Sequence, residues 1–167
     1  MKYGTLVLLC GLPGAGKTTL AEKLASEMPA IVMSPDKEMY EQGTSFFDEK
    51  SRAKIEAEQW QEALKLAKVG KNVVLENGFW GRDERDKLRH EAHALGLKIE
   101  LHFLDIPFEE LWQRVDARNK KENDKDAELT REQLEQAASQ LRAPSHEEIE
   151  LFDKPAAYKS NFQSTTD

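Results

Sequence analysis

Residues 11–18 read G-L-P-G-A-G-K-T, the pattern of a loop that binds phosphate groups. Glycine at positions 14 and 16 lets the backbone amides turn inward, so that N–H donors and a helix N-terminus face the phosphates. Lys17 is expected to reach the terminal phosphates, and Thr18 to offer its hydroxyl to Mg²⁺. The predicted nucleotide-binding residues are Gly11, Leu12, Pro13, Gly14, Ala15, Gly16, Lys17, Thr18 and Thr19.

Two carboxylates follow predicted strands and are candidates for chemistry beside this loop. Asp36 lies in the turn after a short strand at 30–33, where it could bind Mg²⁺, accept the proton of a substrate hydroxyl, or cap the next helix. Glu76 ends a strand that begins near Val73 and could orient the water shell of a metal, a solvent-facing strand end being the alternative.

Four arginines are candidates for binding phosphate or substrate. Arg114 and Arg118 are four residues apart in a predicted helix at 107–118, so both point the same way. They could neutralise charge that develops during phosphoryl transfer, or pair with Glu110 or Glu122.

Arg82 and Arg85 begin the helix after the third strand, near the presumed substrate side. They are predicted substrate-binding residues, with a solvated charged helix face as the alternative for Arg82.

The hydrophobic pattern places these residues on an α/β framework. The run Thr5 to Cys10 is continuously apolar, as expected of a central parallel strand covered on both faces. Further strands are predicted at 30–33, 73–75 and 99–104, with helices at 17–27, 48–69, 82–95 and 107–118. The polar stretch 119–128 predicts a mobile loop, and Thr130 with Gln133 predicts a capping box on the helix that follows.

Composition limits the classes of partner. The chain has 167 residues and a net charge of −7, which suits one globular domain and gives no overall basic field for long nucleic acid. The apolar run at the N-terminus is too short for a signal peptide or a membrane span, so we expect a cytoplasmic protein. The single cysteine, Cys10, excludes an intrachain disulfide and is expected to be a buried small residue.

Four motifs together resemble a known family: the segment 11–20, the turn at Asp36, the segment 73–80 (V-V-L-E-N-G-F-W) and the segment 104–119 (L-D-I-P-F-E-E-L-W-Q-R-V-D-A-R-N). The chain looks like a small P-loop kinase of the AAA-type ATP-binding group, related to polynucleotide 5′-kinase, zeta toxin and chloramphenicol phosphotransferase. The resemblance implies a three-layer P-loop NTPase fold with a parallel sheet, as in adenylate and shikimate kinases. It also implies one domain over 1–160 with a small helical lid at about 119–142, followed by a polar tail at 161–167.

The resemblance also implies roles for individual residues. Asp36 would activate the acceptor hydroxyl, Arg85 would lie on the acceptor side, and Arg114 and Arg118 would form the lid. The segment 152–155 is similar to the adenine side of the family's nucleotide pocket. Two departures are visible: Glu76 stands where the family usually has Asp, and no clear final strand follows the lid, although 149–152 could contribute briefly.

The leading hypothesis is an ATP- and Mg²⁺-dependent kinase that phosphorylates a hydroxyl. Acidic residues in the stretch 37–50 favour a small acceptor over a nucleic acid end, and Tyr40, Phe46 and Phe47 could stack a ring or merely pack. A nucleotide-binding regulator or toxin-like ATPase is the alternative. A GTPase switch is disfavoured because the nearest match to N-K-x-D, at 119–122, follows a helix and ends in Glu.

Overall fold

A computed structural model describes residues 2–45, 47–121 and 128–154. Four parallel strands form one sheet in the order β2-β3-β1-β4. The strands are β1 (Thr5–Cys10), β2 (Ala30–Met33), β3 (Asn72–Gly78) and β4 (Lys98–Phe103). The predicted strands are therefore confirmed, and the phosphate-binding loop leaves β1 at the carboxyl end of the sheet, where ligands of such sheets bind.

Seven helices surround this sheet in the described part of the chain. Four of them begin at a residue whose side chain caps the helix: Ser34, Asp48, Thr130 and Ser145. At Thr130 the capping box with Gln133 is confirmed. The helices are α1 (Lys17–Glu27), α2 (Pro35–Glu41), α3 (Glu49–Lys68), α4 (Arg82–Ala94), α5 (Phe108–Lys121), α6 (Arg131–Gln140) and α7 (His146–Glu150).

Alternation along β1 divides the core between the two faces of the sheet. Leu6, Leu8 and Cys10 pack with residues of α3 and α4, whereas Val7 and Leu9 pack with α1. A third cluster joins the phosphate-binding loop to α5 and α6. The molecule is therefore a three-layer α/β structure in which a separate pair of helices covers the loop.

Cys10 is buried, as the sequence indicated, and burial raises the pKa of its thiol to about 11. The thiol thus stays protonated at neutral pH.

The segment after α7 forms hydrogen bonds with the backbone of β4, which is an edge strand of the sheet. The backbone N–H of Asp153 donates to the carbonyl of Ile99 (2.9 Å), and the Asp153 carboxylate accepts from the N–H of Ile99 (2.9 Å). Residues 149–152 complete α7 and its turn and do not extend the sheet.

The end of α5 is tied to the start of α6 by one side chain. Asn119 donates from Nδ2 to the carbonyl of Leu129 (2.8 Å) and accepts at Oδ1 from the N–H of Leu129 (3.3 Å). Helix α5 runs three residues beyond its predicted end, to Lys121. Most of the predicted mobile loop, together with Phe46, Glu122 and the tail at 161–167, lies outside the described residues. None of the described helices is long and apolar enough to cross a membrane.

Candidate active site

A cleft of about 1160 Å³ opens at the carboxyl end of the sheet. One wall is the phosphate-binding loop with α5, a second is formed by α2, α3 and the end of β3, and a third is α6. Asp36, Glu76, Arg114 and Arg118 all line it, together with Lys17 and Thr18. The fold thus brings together the nucleotide-binding and carboxylate positions that the sequence had singled out separately.

The phosphate-binding loop has the backbone its glycines require. Gly14 and Gly16 have φ angles of 85° and 98°, in the left-handed region that favours glycine. A Cβ on Gly14 would lie 3.0 Å from Cγ2 of Val115, so the loop is also packed tightly under α5. Ala15 is buried in this contact, and neither Ala15 nor Gly11 lines the cleft.

Lys17 is held by the loop itself. Its ammonium donates to the carbonyls of Gly11 (3.0 Å) and Leu12 (3.2 Å). Burial lowers the pKa of Lys17 to about 8, so the side chain is still mostly charged at neutral pH. A partly desolvated cation at the start of a helix is well suited to bind phosphate.

Thr18 and Glu76 are brought together as predicted for a metal site. The Thr18 hydroxyl donates to Oε1 of Glu76 (2.8 Å), although the two residues are 58 positions apart. Hydroxyl and carboxylate oxygens are hard ligands of the kind that Mg²⁺ takes in addition to phosphate and water. The pair therefore fits Mg²⁺ next to a bound nucleotide, and the longer Glu side chain reaches the Thr18 hydroxyl.

Asp36 lies in the first turn of α2 and is not its cap. Ser34 is the N-cap, and its hydroxyl accepts from the N–H of Lys37 (3.3 Å). The Asp36 carboxylate is 60% exposed in the cleft, where the guanidinium of Arg52 contacts it. Capping thus does not explain Asp36, and its environment is that of an accessible carboxylate beside a cation.

Arg114 and Arg118 differ in their contacts. Arg114 donates to the carbonyl of Gly14 in the phosphate-binding loop (3.2 Å) and to Glu110 (2.6 Å), which is the ion pair considered as the alternative to phosphate binding. Arg118 also lines the cleft, and its exposed side chain makes no ion pair with the described residues. The structure therefore places Arg118 where its guanidinium can reach a ligand.

The predicted substrate contacts of Arg82 and Arg85 require correction, because neither residue lines the cleft. Arg85 is 1% exposed and binds Glu148 through Nε (2.6 Å) and Nη2 (2.9 Å). It also donates to the carbonyls of Phe79 (2.8 Å) and Arg142 (2.7 Å). Arg82 binds Asp86 (2.9 Å) at the surface, and its Nη1 lies 3.6 Å from Oε1 of Glu148.

Arg85 serves the site indirectly, by holding the turn after β3. Burial opposes its charge, but the hydrogen bonds and charge of Glu148 outweigh that effect and raise the pKa of Arg85. Its contact with Phe79 fixes a residue whose φ is 50°, a strained value for a bulky side chain. Glu76 is carried by the strand that this turn ends.

Replacing Arg85 with Ala is expected to destabilise the protein by about 3–5 kcal/mol, because the buried Glu148 carboxylate loses the arginine that donates to both of its oxygens and keeps only the more distant Arg82. Urea unfolding followed by circular dichroism measures the change. Lys87→Ala is the control on the same helix, since the Lys87 side chain is exposed and makes no ion pair with the described residues, so the change is expected to cost less than about 0.5 kcal/mol. If the two variants lost the same free energy of unfolding, the buried pair of Arg85 and Glu148 would contribute no more than an exposed side chain.

The predicted adenine-side role of residues 152–155 is also wrong for Phe152. Its ring is 4% exposed and belongs to the core on the α3 and α4 face of the sheet, and it does not line the cleft. The guanidinium of Arg89 lies 5.5 Å from the ring centroid. Phe152 therefore anchors the chain after α7 to the core.

Several cleft residues escaped the sequence analysis. Arg52, Glu56 and Glu84 lie in charged helices without a recognisable motif, so only the fold reveals that they share a cleft. The third wall is α6, whose glutamines at i, i+3 and i+7 face the ligand side: Gln133, Gln136 and Gln140. That spacing was visible in the sequence and could have identified one amide-rich helix face.

The fold and this site define a P-loop protein of the kinase-like α/β class. Residues 6–144 match the family model described as AAA domain, which covers most of the chain. The chain therefore belongs to this family of P-loop kinases, as its motifs had indicated. A search of curated protein sequences gives no significant match.

Solved structures of similar fold include several kinases. A chain of the Pnkp1/Rnl/Hen1 RNA repair complex aligns with a TM-score of 0.67 and 22% identity, covering 92% of this chain and 47% of that one. A gluconokinase from Sinorhizobium meliloti aligns with a TM-score of 0.62 and 19% identity over 88% of this chain and 80% of that one. The APS kinase CysC of Mycobacterium tuberculosis aligns with a TM-score of 0.59 and 23% identity, covering 78% of each chain. The chain spans less than half the length of the RNA repair protein, and at these identities the likeness establishes the fold.

Proposed function

We propose that this protein is an ATP-dependent phosphotransferase that moves the γ-phosphate of ATP to a hydroxyl of a small molecule. The observation that carries the proposal is the position of Asp36, an accessible carboxylate in the same cleft as the phosphate-binding loop and Arg118. A protein that only bound ATP would not need an exposed carboxylate there. Kinases among the similar structures support the same reaction class.

In the proposed reaction the acceptor oxygen attacks the γ-phosphorus while its proton passes to the Asp36 carboxylate. The bond between the γ-phosphorus and the bridging oxygen breaks, and ADP leaves with that oxygen. Lys17 and the loop amides bind the phosphates of ATP, and Arg118 binds the transferring group as charge develops. Thr18 and Glu76 would hold Mg²⁺, which supplies charge neutralisation at the phosphates when bound.

The size and charge of the cleft support a small acceptor. Its volume exceeds the range of about 300–1000 Å³ that is usual for one small ligand, so ATP and a second small molecule could fit together. The described residues of 37–50 that line it include Lys37 and Glu49, which do not form a basic channel for a nucleic acid end.

An acceptor screen tests the proposal. ATP consumption is measured with small alcohols, sugars, antibiotics, nucleosides and 5′-hydroxyl oligonucleotides, beside a Lys17→Ala control. We expect at least one small acceptor to stimulate consumption in the wild type and none in the variant. If ATP binds but no acceptor stimulates its consumption, the nucleotide-binding regulator becomes the better explanation. The contact between Arg52 and Asp36 is the observation that favours that second candidate, because it occupies the proposed base.

Replacing Arg118 with Ala is expected to lower kcat at least about tenfold and to change ATP affinity little. The reason is that a charge-assisted hydrogen bond, about 1.5–3 kcal/mol, forms fully only as charge develops in the transition state. Steady-state kinetics and equilibrium ATP titration measure the two effects separately. Lys120→Ala is the control on the same helix, since Lys120 pairs with Asp116 away from the cleft lining. Equal losses in turnover and affinity would contradict the lid role.

A further inference from the structure

The acceptor half of the cleft has a different electrostatic character from its nucleotide half. We define the acceptor half as the cleft-lining residues of α2, α3, their connection and the first turn of α4. Its charged side chains are four carboxylates and two cations: Asp36, Glu49, Glu56, Glu84, Lys37 and Arg52. On the nucleotide side the charged groups of the phosphate-binding loop and α5 are the cations of Lys17, Arg114 and Arg118.

The one arginine of the acceptor half is already neutralised by this chain. Arg52 contacts Asp36 on one side and lies 3.6 Å from Oε1 of Glu56 on the other. Glu56 is partly buried, and burial together with the charge of Glu84 raises its pKa. A phosphate or carboxylate placed beside Arg52 would therefore compete with two internal carboxylates and meet further negative charge.

The third wall of the cleft offers amides and no charge to a ligand. Gln136 and Gln140 are exposed one turn apart on α6, and their side-chain amides make no hydrogen bond with the described residues. Gln133 lies on the same face but its amide oxygen is used in the cap of α6. A primary amide both donates and accepts, which suits hydroxyl groups.

Exposed rings stand at the mouth of the acceptor half. Tyr40 is 64% exposed and Phe47 52% exposed, and both line the cleft. Rings of this kind bind the apolar faces of cyclic ligands through contact area.

We infer that the acceptor is a cyclic polyhydroxy molecule, uncharged or amine-bearing, with no phosphate or carboxylate near its reactive hydroxyl, and that Gln136 and Gln140 bind its other hydroxyls. The inference rests on the proposed function, because it concerns the molecule that receives the phosphate. It separates this protein from a kinase of anionic acceptors, because Lys37 is the one cation of the acceptor half without a carboxylate partner among the described residues, and carboxylates outnumber cations there by four to two.

Matched acceptors that differ in one charged group test the inference. The wild-type protein is assayed with MgATP and two series, adenosine against adenosine 3′-phosphate, and glucose and glucosamine against glucose 1-phosphate, which keeps the sugar ring. We expect kcat/KM for the uncharged or amine-bearing member to exceed that of its anionic partner at least about tenfold, since like charges brought together are strongly disfavoured. A preference for the anionic member overturns the inference but leaves phosphotransfer intact, whereas no acceptor-dependent consumption in either series overturns both.

Variants connect the preference to the residues. The double change Glu56→Gln and Glu84→Gln is expected to reduce the ratio of kcat/KM between the uncharged or amine-bearing acceptor and its anionic counterpart. The control is Glu58→Gln with Glu62→Gln, which removes the same charge from exposed positions of α3 outside the cleft lining. Gln136→Ala with Gln140→Ala is expected to raise KM for the acceptor and leave KM for ATP unchanged. If Glu56→Gln with Glu84→Gln leaves the preference for the non-anionic acceptor unchanged, the two carboxylates do not set that preference. If Gln136→Ala with Gln140→Ala raises only KM for ATP, the glutamines do not bind the acceptor.

Discussion

Lys17→Ala is expected to lower acceptor-dependent ATP consumption by about a thousandfold and to weaken ATP binding. The ammonium is held between the carbonyls of Gly11 and Leu12 at the base of the phosphate-binding loop, where partial desolvation strengthens its interaction with phosphate. Removing a group that stabilises developing charge commonly costs about 10²–10³ in turnover, and here ground-state binding is lost as well. Initial rates and isothermal titration with ATP measure the two losses.

Lys23→Ala is the matched control for this variant. Lys23 is on the same helix, α1, but does not line the cleft. We expect it to retain wild-type rates and ATP affinity. If Lys17→Ala bound ATP as tightly as the control, the nucleotide would have to bind elsewhere.

Asp36→Asn is expected to lower phosphoryl transfer by at least about a hundredfold, the lower range of general-base catalysis, with little change in ATP affinity. The substitution keeps the size of the side chain and removes its ability to take a proton. ATP binding should persist because Asp36 follows β2, which is separated from β1 and its phosphate-binding loop by β3. Single-turnover rates and ATP titration are the measurements.

The comparison of Asp36→Asn with Lys17→Ala separates the two candidate functions. A phosphotransferase needs both residues, whereas a nucleotide-binding regulator needs only Lys17. Loss of ATP binding in Asp36→Asn would instead give Asp36 a metal-binding or structural role. Asp83→Asn, on the exposed first turn of α4 and outside the cleft lining, controls for the loss of a carboxylate.

Local sequence patterns predicted the strands and helices well, because strand burial, turns and helix caps depend mainly on neighbouring residues. The apolar run of β1, the glycine-rich turn and the capping box at Thr130 each depend on residues close together in sequence. The partner of Arg85 was not predictable in this way, because Glu148 lies 63 residues further on and only the packing of α7 against α4 brings them together. The same limit hid Arg52, whose contact with Asp36 depends on the angle between α2 and α3.

Phe152 shows a different limit, since it was interpreted by its similarity to a segment of the family. The chain after α7 turns toward β4, where Asp153 binds Ile99, and this path carries the phenyl ring into the core. Motif similarity gave the correct class of protein here but the wrong surroundings for one segment. The resemblance was informative at the phosphate-binding loop, where phosphate binding constrains the backbone, and misleading at Phe152, where no such constraint applies.

The hydrogen bonds between Asn119 and Leu129 make the two helix ends a closed junction. One side chain thus links the end of α5, which carries Arg118, to the start of α6, which carries the glutamines that line the cleft. The arginine and amide groups of the cleft are therefore held relative to each other by a contact between the two helices themselves.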